Sequence, residues 1–231
     1  MDSILADFHV HSVFSGRGPL RGYASQSRIA DILRHAQKIG LSAIAITDHD
    51  QIDGSLRAYN IAHRFNMVAI PSVEISSRQG HILALNVTDP IPKGLDFRET
   101  IDRIHDQGGL AVCAHPLLPL LGVGRKRIPY FDGVECINGR EGKVREELPG
   151  LGQFSTAGSD AHNLAEVGSA VTTFDSHFQN AEECIELLRN QQTGIRSLQK
   201  TRKMRDIVLP QVANILDYYS DCTFGQIAEP Q

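Results

Sequence analysis

Eight short apolar runs, rich in isoleucine and valine and mostly closed by a cluster of titratable side chains, constrain this sequence more than any other feature. They fall at 3–8, 42–47, 68–75, 81–87, 110–114, 133–137, 154–157 and 169–174. That is strand length, and unbroken apolarity over it marks strands buried on both faces. Between several runs the apolar residues return at helical spacing: Ile29, Ile32, Leu33, Ala36 and Ile39, then Ile61, Ala62 and Phe65, then Ile101 and Ile104, then Ile185, Leu187 and Leu188. Strand and helix therefore alternate. Ser25 or Ser27 is expected to cap the first helix and Gly40 to end it, Asp96 with Glu99 to open another, and Gly108-Gly109 to stop it.

The 231 residues, 41% hydrophobic and 22% charged, suffice for a packed core and exclude a disordered chain. No internal repeat or low-complexity linker divides them, so one domain is expected over 1–200. A terminal amphipathic helix and tail over 201–231 is expected to pack on it, with Ile207, Val208, Val212, Ile215, Leu216 and Tyr219 as the apolar face. A net charge of −4 gives no broad attraction for nucleic acid or anionic membrane, so phosphate affinity must be local. With no apolar run near the ~20 residues of a membrane span and no basic, apolar leader, the expected location is cytoplasmic. Cys113, Cys136, Cys184 and Cys222 stand far apart, which predicts packing rather than disulfides or a thiolate zinc site.

The chemistry sits at the strand boundaries. The first run ends Asp7-Phe8-His9-Val10-His11, and residues two apart on an extended chain face one side. The second ends Thr47-Asp48-His49-Asp50, and the third carries Glu74 inside Val73-Glu74-Ile75, where an unpaired buried carboxylate costs several kcal/mol and so demands a cation. His81 opens the fourth, at a place that reads as the turn into the strand. His115 follows the fifth in Ala114-His115-Pro116, and Asp160 and His162 follow Phe154 in Gly158-Ser159-Asp160-Ala161-His162 with the same two-residue spacing as His9 and His11. A solitary pair of histidines is as readily a surface feature as a ligand set; six such clusters at strand boundaries, five of them where a strand hands over to a loop, are not. Open α/β sheets and β/α barrels place their active sites there. Imidazole and carboxylate without thiolate suit zinc, manganese or iron, and eight ligands exceed one tetrahedral sphere, so two or three divalent ions are expected.

In this order, over roughly 7–162, these motifs strongly resemble the PHP (polymerase and histidinol phosphatase) family of metal-dependent phosphoesterases. The resemblance implies a distorted seven-stranded (β/α)7 TIM-like barrel with its ligands at the C-terminal mouth of the strands. It places His9, His11, Glu74 and Asp160 around one metal, Glu74 bridging to a second held by His81 and His115, and His49 and His162 at a third. The chain departs from the family at 12–18, where Gly16 stands in place of an acidic residue or histidine; Arg17 is then expected to supply a fixed positive charge near the third site.

The implied activity is hydrolysis of a phosphate ester: a nucleotide, an oligonucleotide end or another small phosphomonoester. Two cations ~3.5–4 Å apart ionise a water near neutral pH and offset charge on the phosphoryl oxygens. His49 and His162 are candidates to protonate the leaving alcohol. Arg17, Arg125 and Arg127, with the neighbouring Arg21 and Lys126, are candidates to grip phosphate. Histidinol-phosphate phosphatase and a non-catalytic RNA- or protein-binding module are the alternatives, and the basic run 196–205 is a modest candidate for nucleic acid. His35, His63, His105 and His177 read as surface histidines, and no glycine fingerprint supports a nucleotide cofactor.

Overall fold

The computed structural model describes residues 4–15 and 25–198. Gly16, Arg17, Arg21, Cys222, most of the basic run and the amphipathic helix expected over 204–219 lie outside them.

The alternation of strand and helix is present: β1 Ile4–Val10, α1 Ile29–Lys38, β2 Ala43–Ile46, α2 Asp53–Ile61, β3 Val68–Ile70, β4 Ser72–Ser77, β5 Gly80–Leu85, α3 Phe97–His105, β6 Leu110–Cys113, β7 Gly133–Asn138, β8 Lys143–Val144, β9 Phe154–Gly158, β10 Ala170–Phe174, α4 Ala181–Arg189 and β11 Thr193–Ser197. The run expected as one strand over 68–75 is two, because Pro71 has no N–H to give a ladder. Two strands escaped the sequence reading. Neither the two-residue β8 nor β11 falls in the eight apolar runs, and β11 carries the start of the basic run, with Arg196 opposite Val171 of β10. The cap of α1 also differs from expectation: Arg28 occupies that position with no side-chain bond, while Ser25 Oγ accepts from the Ser27 amide. Asp96 does cap α3, accepting from the Arg98 amide at 3.1 Å.

The strands form two sheets, ordered β11-β10-β1-β2-β3 and β4-β5-β6-β7-β8, with β9 parallel to β7. This is a mixed α/β fold, and its ladders do not make the continuous ring of seven strands the family resemblance implied. The isolated bridges Val10↔Ala161 and His49↔Glu74 join the sheets at one end, and Phe8 of one sheet shares a core cluster with Leu83, Leu85, Val112 and Phe154 of the other. The His11 amide reaches the Ala161 carbonyl at 2.9 Å, and the Asp50 amide reaches that of Glu74 at 2.9 Å.

Helices cover the outer faces. Phe8 packs with Phe174, Cys184, Ile185 and Leu188 beneath α4; Ile29, Ile32, Leu33 and Ala36 of α1 meet Ile44 and Ile46; Phe97, Ile101 and Ile104 of α3 meet Ile82, Ala84 and Val134. Burying each of these large side chains stabilises by about 1.5–3 kcal/mol. On β1, Ala6 and Phe8 pack in the cluster beneath α4, while a register shift against β2 between Asp7 and Val10 breaks the alternation and puts Val10 in the cluster under α1; Asp7 and His9 lie between them. All five are fully buried, so β1 commits polar groups to the interior only because they find partners there.

Candidate metal centre

Every strand that approaches the junction of the sheets delivers a titratable side chain to it. His9 lies on β1 and His11 just past it, His49 follows β2, Glu74 lies on β4, His115 follows β6, and Asp160 and His162 follow β9. His81, anomalous in sequence because it opens its run, belongs to this end for a topological reason. β5 runs antiparallel to β4, so its beginning lies where other strands finish, with His81 opposite Ser76. His115 and Asp160 have φ of 26° and 53°, a left-handed backbone that side chains rarely adopt and that concentrates at functional sites.

Glu74 sits among five imidazoles. Its Oε1 lies 2.8 Å from His81 Nδ1 and 3.1 Å from His115 Nε2; its Oε2 lies 2.9 Å from His49 Nδ1, 3.4 Å from His11 Nε2 and 3.5 Å from His9 Nε2. Asp160 Oδ1 lies 3.2 Å from His11 Nε2, 3.7 Å from His9 Nε2 and 3.6 Å from His162 Nδ1. Four triads have ligand atoms within 4.8 Å of one another: His9–His11–Asp160, His9–Glu74–His115, His49–Glu74–His81 and His11–His49–His162. All eight residues expected as ligands are therefore in one place, with His81 and His115 both against Glu74 Oε1 and His49 beside His81.

The donor set fits divalent ions on the structure's own terms. His9 Nε2, His11 Nε2, His115 Nδ1 and Glu74 Oε2 are buried with no hydrogen-bond partner. Such orphaned atoms cost on the order of 1–3 kcal/mol each unless something binds them. The other ring nitrogens of His9 and His11 are engaged, so the orphaned ones point inward by construction. His9 Nδ1 donates to Glu135 Oε1 at 3.0 Å. Ser15 Oγ, which donates to Asp48 Oδ1 at 2.8 Å, accepts from His11 Nδ1 at 3.0 Å and from the His49 amide at 3.2 Å. Asp48 also takes the Ser12 amide and hydroxyl, both at 2.6 Å. Hydrogen-bonding the outer nitrogen in this way fixes the tautomer of a ligating histidine.

The field at the centre favours cations. Burial opposes ionisation of Glu74 and Asp160, yet the surrounding imidazoles hold both carboxyls well below their usual range. Burial likewise opposes a charge on His9, and Asp160, Glu135 and Glu74 overcome it, raising that imidazole well above its usual value. His49 and His115 are raised against burial chiefly by Glu74. Burial wins at His11, aided by His162 and His49, and at His81. His162 is pushed down to about 4, burial leading and Arg140 contributing.

The candidate phosphate grips are placed as follows. Arg17 is outside the described residues. Arg127 donates to the Val123 carbonyl at 2.7 Å and lies over Phe97, and Arg125 donates to the Glu147 carbonyl at 3.5 Å; these partners are not members of the cluster. Arg140, in the loop after β7, lowers the pKa values of both Asp160 and His162, so its charge is felt at the centre. It is not among the cations singled out from the sequence. Cys113 is buried, and burial raises its thiol far above neutral pH, which removes it as a nucleophile.

Residues 151–193 match the PHP-associated family model. The chain is 36% identical over 159 residues to protein MJ1587 of Methanocaldococcus jannaschii, covering 62% of this chain and 93% of that one. Its structure is similar to a two-domain Bacteroides vulgatus protein containing a predicted PHP-like metal-dependent phosphoesterase, with TM-score 0.70, 18% identity, and 92% and 70% of the two chains covered. It is also similar to the lesion-specific endonuclease EndoQ of Pyrococcus furiosus, with TM-score 0.55, 14% identity, and 84% and 58% covered. At these identities the two structural likenesses are of fold.

Proposed function

The chain belongs to the PHP family, and from that premise we propose that it is a metal-dependent phosphoesterase acting on a small phosphate ester, a nucleotide or an oligonucleotide end among them. The observation that carries this reading is the convergence of His9, His11, His115 and Glu74 on one interior point with ligand atoms buried and unsatisfied. His9, His11 and Asp160 would hold one ion, with Glu74, His49, His81 and His115 offering ligands to a second; His162, with His11 and His49, would serve a third. Divalent ions, when bound, supply Lewis acidity, which ionises a water near neutral pH and offsets charge on phosphoryl oxygens.

The chain's own groups do the rest. His49 and His162, with side chains 22% and 12% exposed, border solvent where His9 and His11 do not; His49, whose proton Glu74 favours, is our candidate to pass a proton to the departing alkoxide oxygen, while His162, pushed down to about 4, suits a ligand better than a donor. The Arg140 guanidinium is our candidate to orient the phosphate by paired N–H donors, with Arg17 a second candidate. Among the described residues no helix is long and apolar enough to cross a membrane.

The test is hydrolysis of an aryl phosphomonoester and an aryl phosphodiester with Mn, Zn or Fe supplied, beside His9→Ala and Asp160→Ala. Metal-dependent turnover that collapses in both variants supports the reading, and the preferred ester separates phosphatase from diesterase. Stoichiometric metal without hydrolysis of either ester, nucleotides or oligonucleotides overturns it in favour of a binding module.

A further inference from the structure

The strand β7 contributes no member of the four triads, yet its one buried carboxylate touches the segments that do. Glu135 is 1% exposed. Its Oε1 accepts from His9 Nδ1 at 3.0 Å, and its Oε2 accepts from the His115 amide at 2.8 Å and from Asn138 Nδ2 at 3.0 Å. The Asn138 amide group reaches on to Asp160 Oδ2 at 3.3 Å, and its carbonyl oxygen accepts the amides of Arg140 and Glu141, both at 3.1 Å. One residue and its brace thus meet a histidine on β1, a strained backbone after β6 and a strained aspartate after β9. The fit is close: a Cβ on Gly158 would run into His9 Cβ and come within 3.0 Å of Glu135 Oε1.

We propose that Glu135 is the positioning residue of the metal centre, holding His9 in the tautomer that turns Nε2 inward and pinning the His115 amide so that its ring faces Glu74. Both carboxylate oxygens are already committed to N–H donors, so Glu135 acts through the ligands and is not one of them. This rests on the metal-centre reading above. A carboxylate that merely satisfied buried amides would need no imidazole partner; here the imidazole nitrogen it binds belongs to the ring whose other nitrogen is orphaned. Replacing it by the isosteric amide puts an NH2 group against either His9 Nδ1–H or the two donors at Oε2, so the ring loses its fixed orientation.

The experiment measures Mn2+ and Zn2+ binding to the full chain by equilibrium dialysis, together with the visible spectrum of the Co2+-loaded protein and the metal-free melting temperature. The wild type is compared with Glu135→Gln and with Thr172→Val. Thr172 is a buried hydroxyl on β10 bonded to the Ala157 backbone and away from any ligand side chain. We expect Glu135→Gln to weaken at least one ion by about 10–100-fold and to change the Co2+ bands, and Thr172→Val to lower the melting temperature with binding unchanged. Should Glu135→Gln fail to fold, Asn138→Asp, which keeps the oxygen that accepts the Arg140 and Glu141 amides and removes the N–H donor to Glu135, is expected to weaken binding by about tenfold. Wild-type affinity and an unchanged Co2+ spectrum in the folded variant overturn the proposal while leaving the centre standing, as does an equal loss in Thr172→Val. Absence of metal binding in the wild type removes the centre, and the proposal with it.

Discussion

The two ends of the sheets each set a histidine against a carboxylate, and the contrast shows what separates a structural pair from a site. At the far end, His105 Nε2 meets Asp132 Oδ2 at 2.8 Å, and the same oxygen accepts the Ala111 amide at 2.7 Å. The His105 side chain is 45% exposed, and this pair serves to tie α3 to the approaches of β6 and β7. At the junction end, His9 Nε2 and Asp160 Oδ1 stand 3.7 Å apart, and that nitrogen bonds nothing while Nδ1 of the same ring is taken by Glu135. Same residue types, opposite condition: one pair is closed upon itself, while the other leaves its lone pairs to a third party.

Removing a member of each set should break the symmetry of that comparison most sharply. His9→Ala and Asp160→Ala are expected to cost about 10³-fold in hydrolysis, the several kcal/mol a metal ion contributes, read as kcat/KM on the aryl esters. Next in size is pH. In the metal-free protein His9, His49 and His115 are held above their usual value by the neighbouring carboxylates, so each keeps its proton to higher pH than a free imidazole, and a cation must displace it. Metal affinity therefore rises with pH until those raised values are passed, by about tenfold per unit for each proton released. Calorimetric titration in buffers of different ionisation enthalpy counts the protons, and a flat profile would contradict the picture.

Metal at a hundred times its dissociation constant should stabilise the fold by about 2.7 kcal/mol, some 5–10 °C in melting temperature for a chain of this size, reversed by a chelator. The far-end pair gives the smallest effect. His105→Ala should cost about 1 kcal/mol or less in thermal unfolding and leave both metal content and turnover unchanged.

Much of this was legible in advance, for a reason that also explains the gaps. Buried strands advertise themselves by unbroken apolarity, and a polar residue at their end must have a use, which exposes His9, His49, His115 and Asp160 before any coordinates. Direction of travel is not written in one strand, so His81 looked misplaced until β5 proved antiparallel. Glu135 was missed by inconsistency: the reasoning that singled out Glu74, a charge inside an apolar run, applies equally to Gly133-Val134-Glu135-Cys136-Ile137. Ser15 and Asp48 were illegible because their value lies in a chain of bonds between segments far apart in sequence. Arg140 was hidden by its surroundings, a polar loop in which a single cation looks like solvent-facing charge.

The joining of the sheets by bridges at one end bears on how the molecule is assembled. Asp7 accepts the Ser159 amide across 152 positions of chain, and the Val10↔Ala161 bridge lies just beyond it. Closing a loop of that length costs more entropy than forming a local helix or hairpin. The ligands of β1 and of the segment after β9 thus share no local element, and the ion-binding geometry exists only where that long closure has been made.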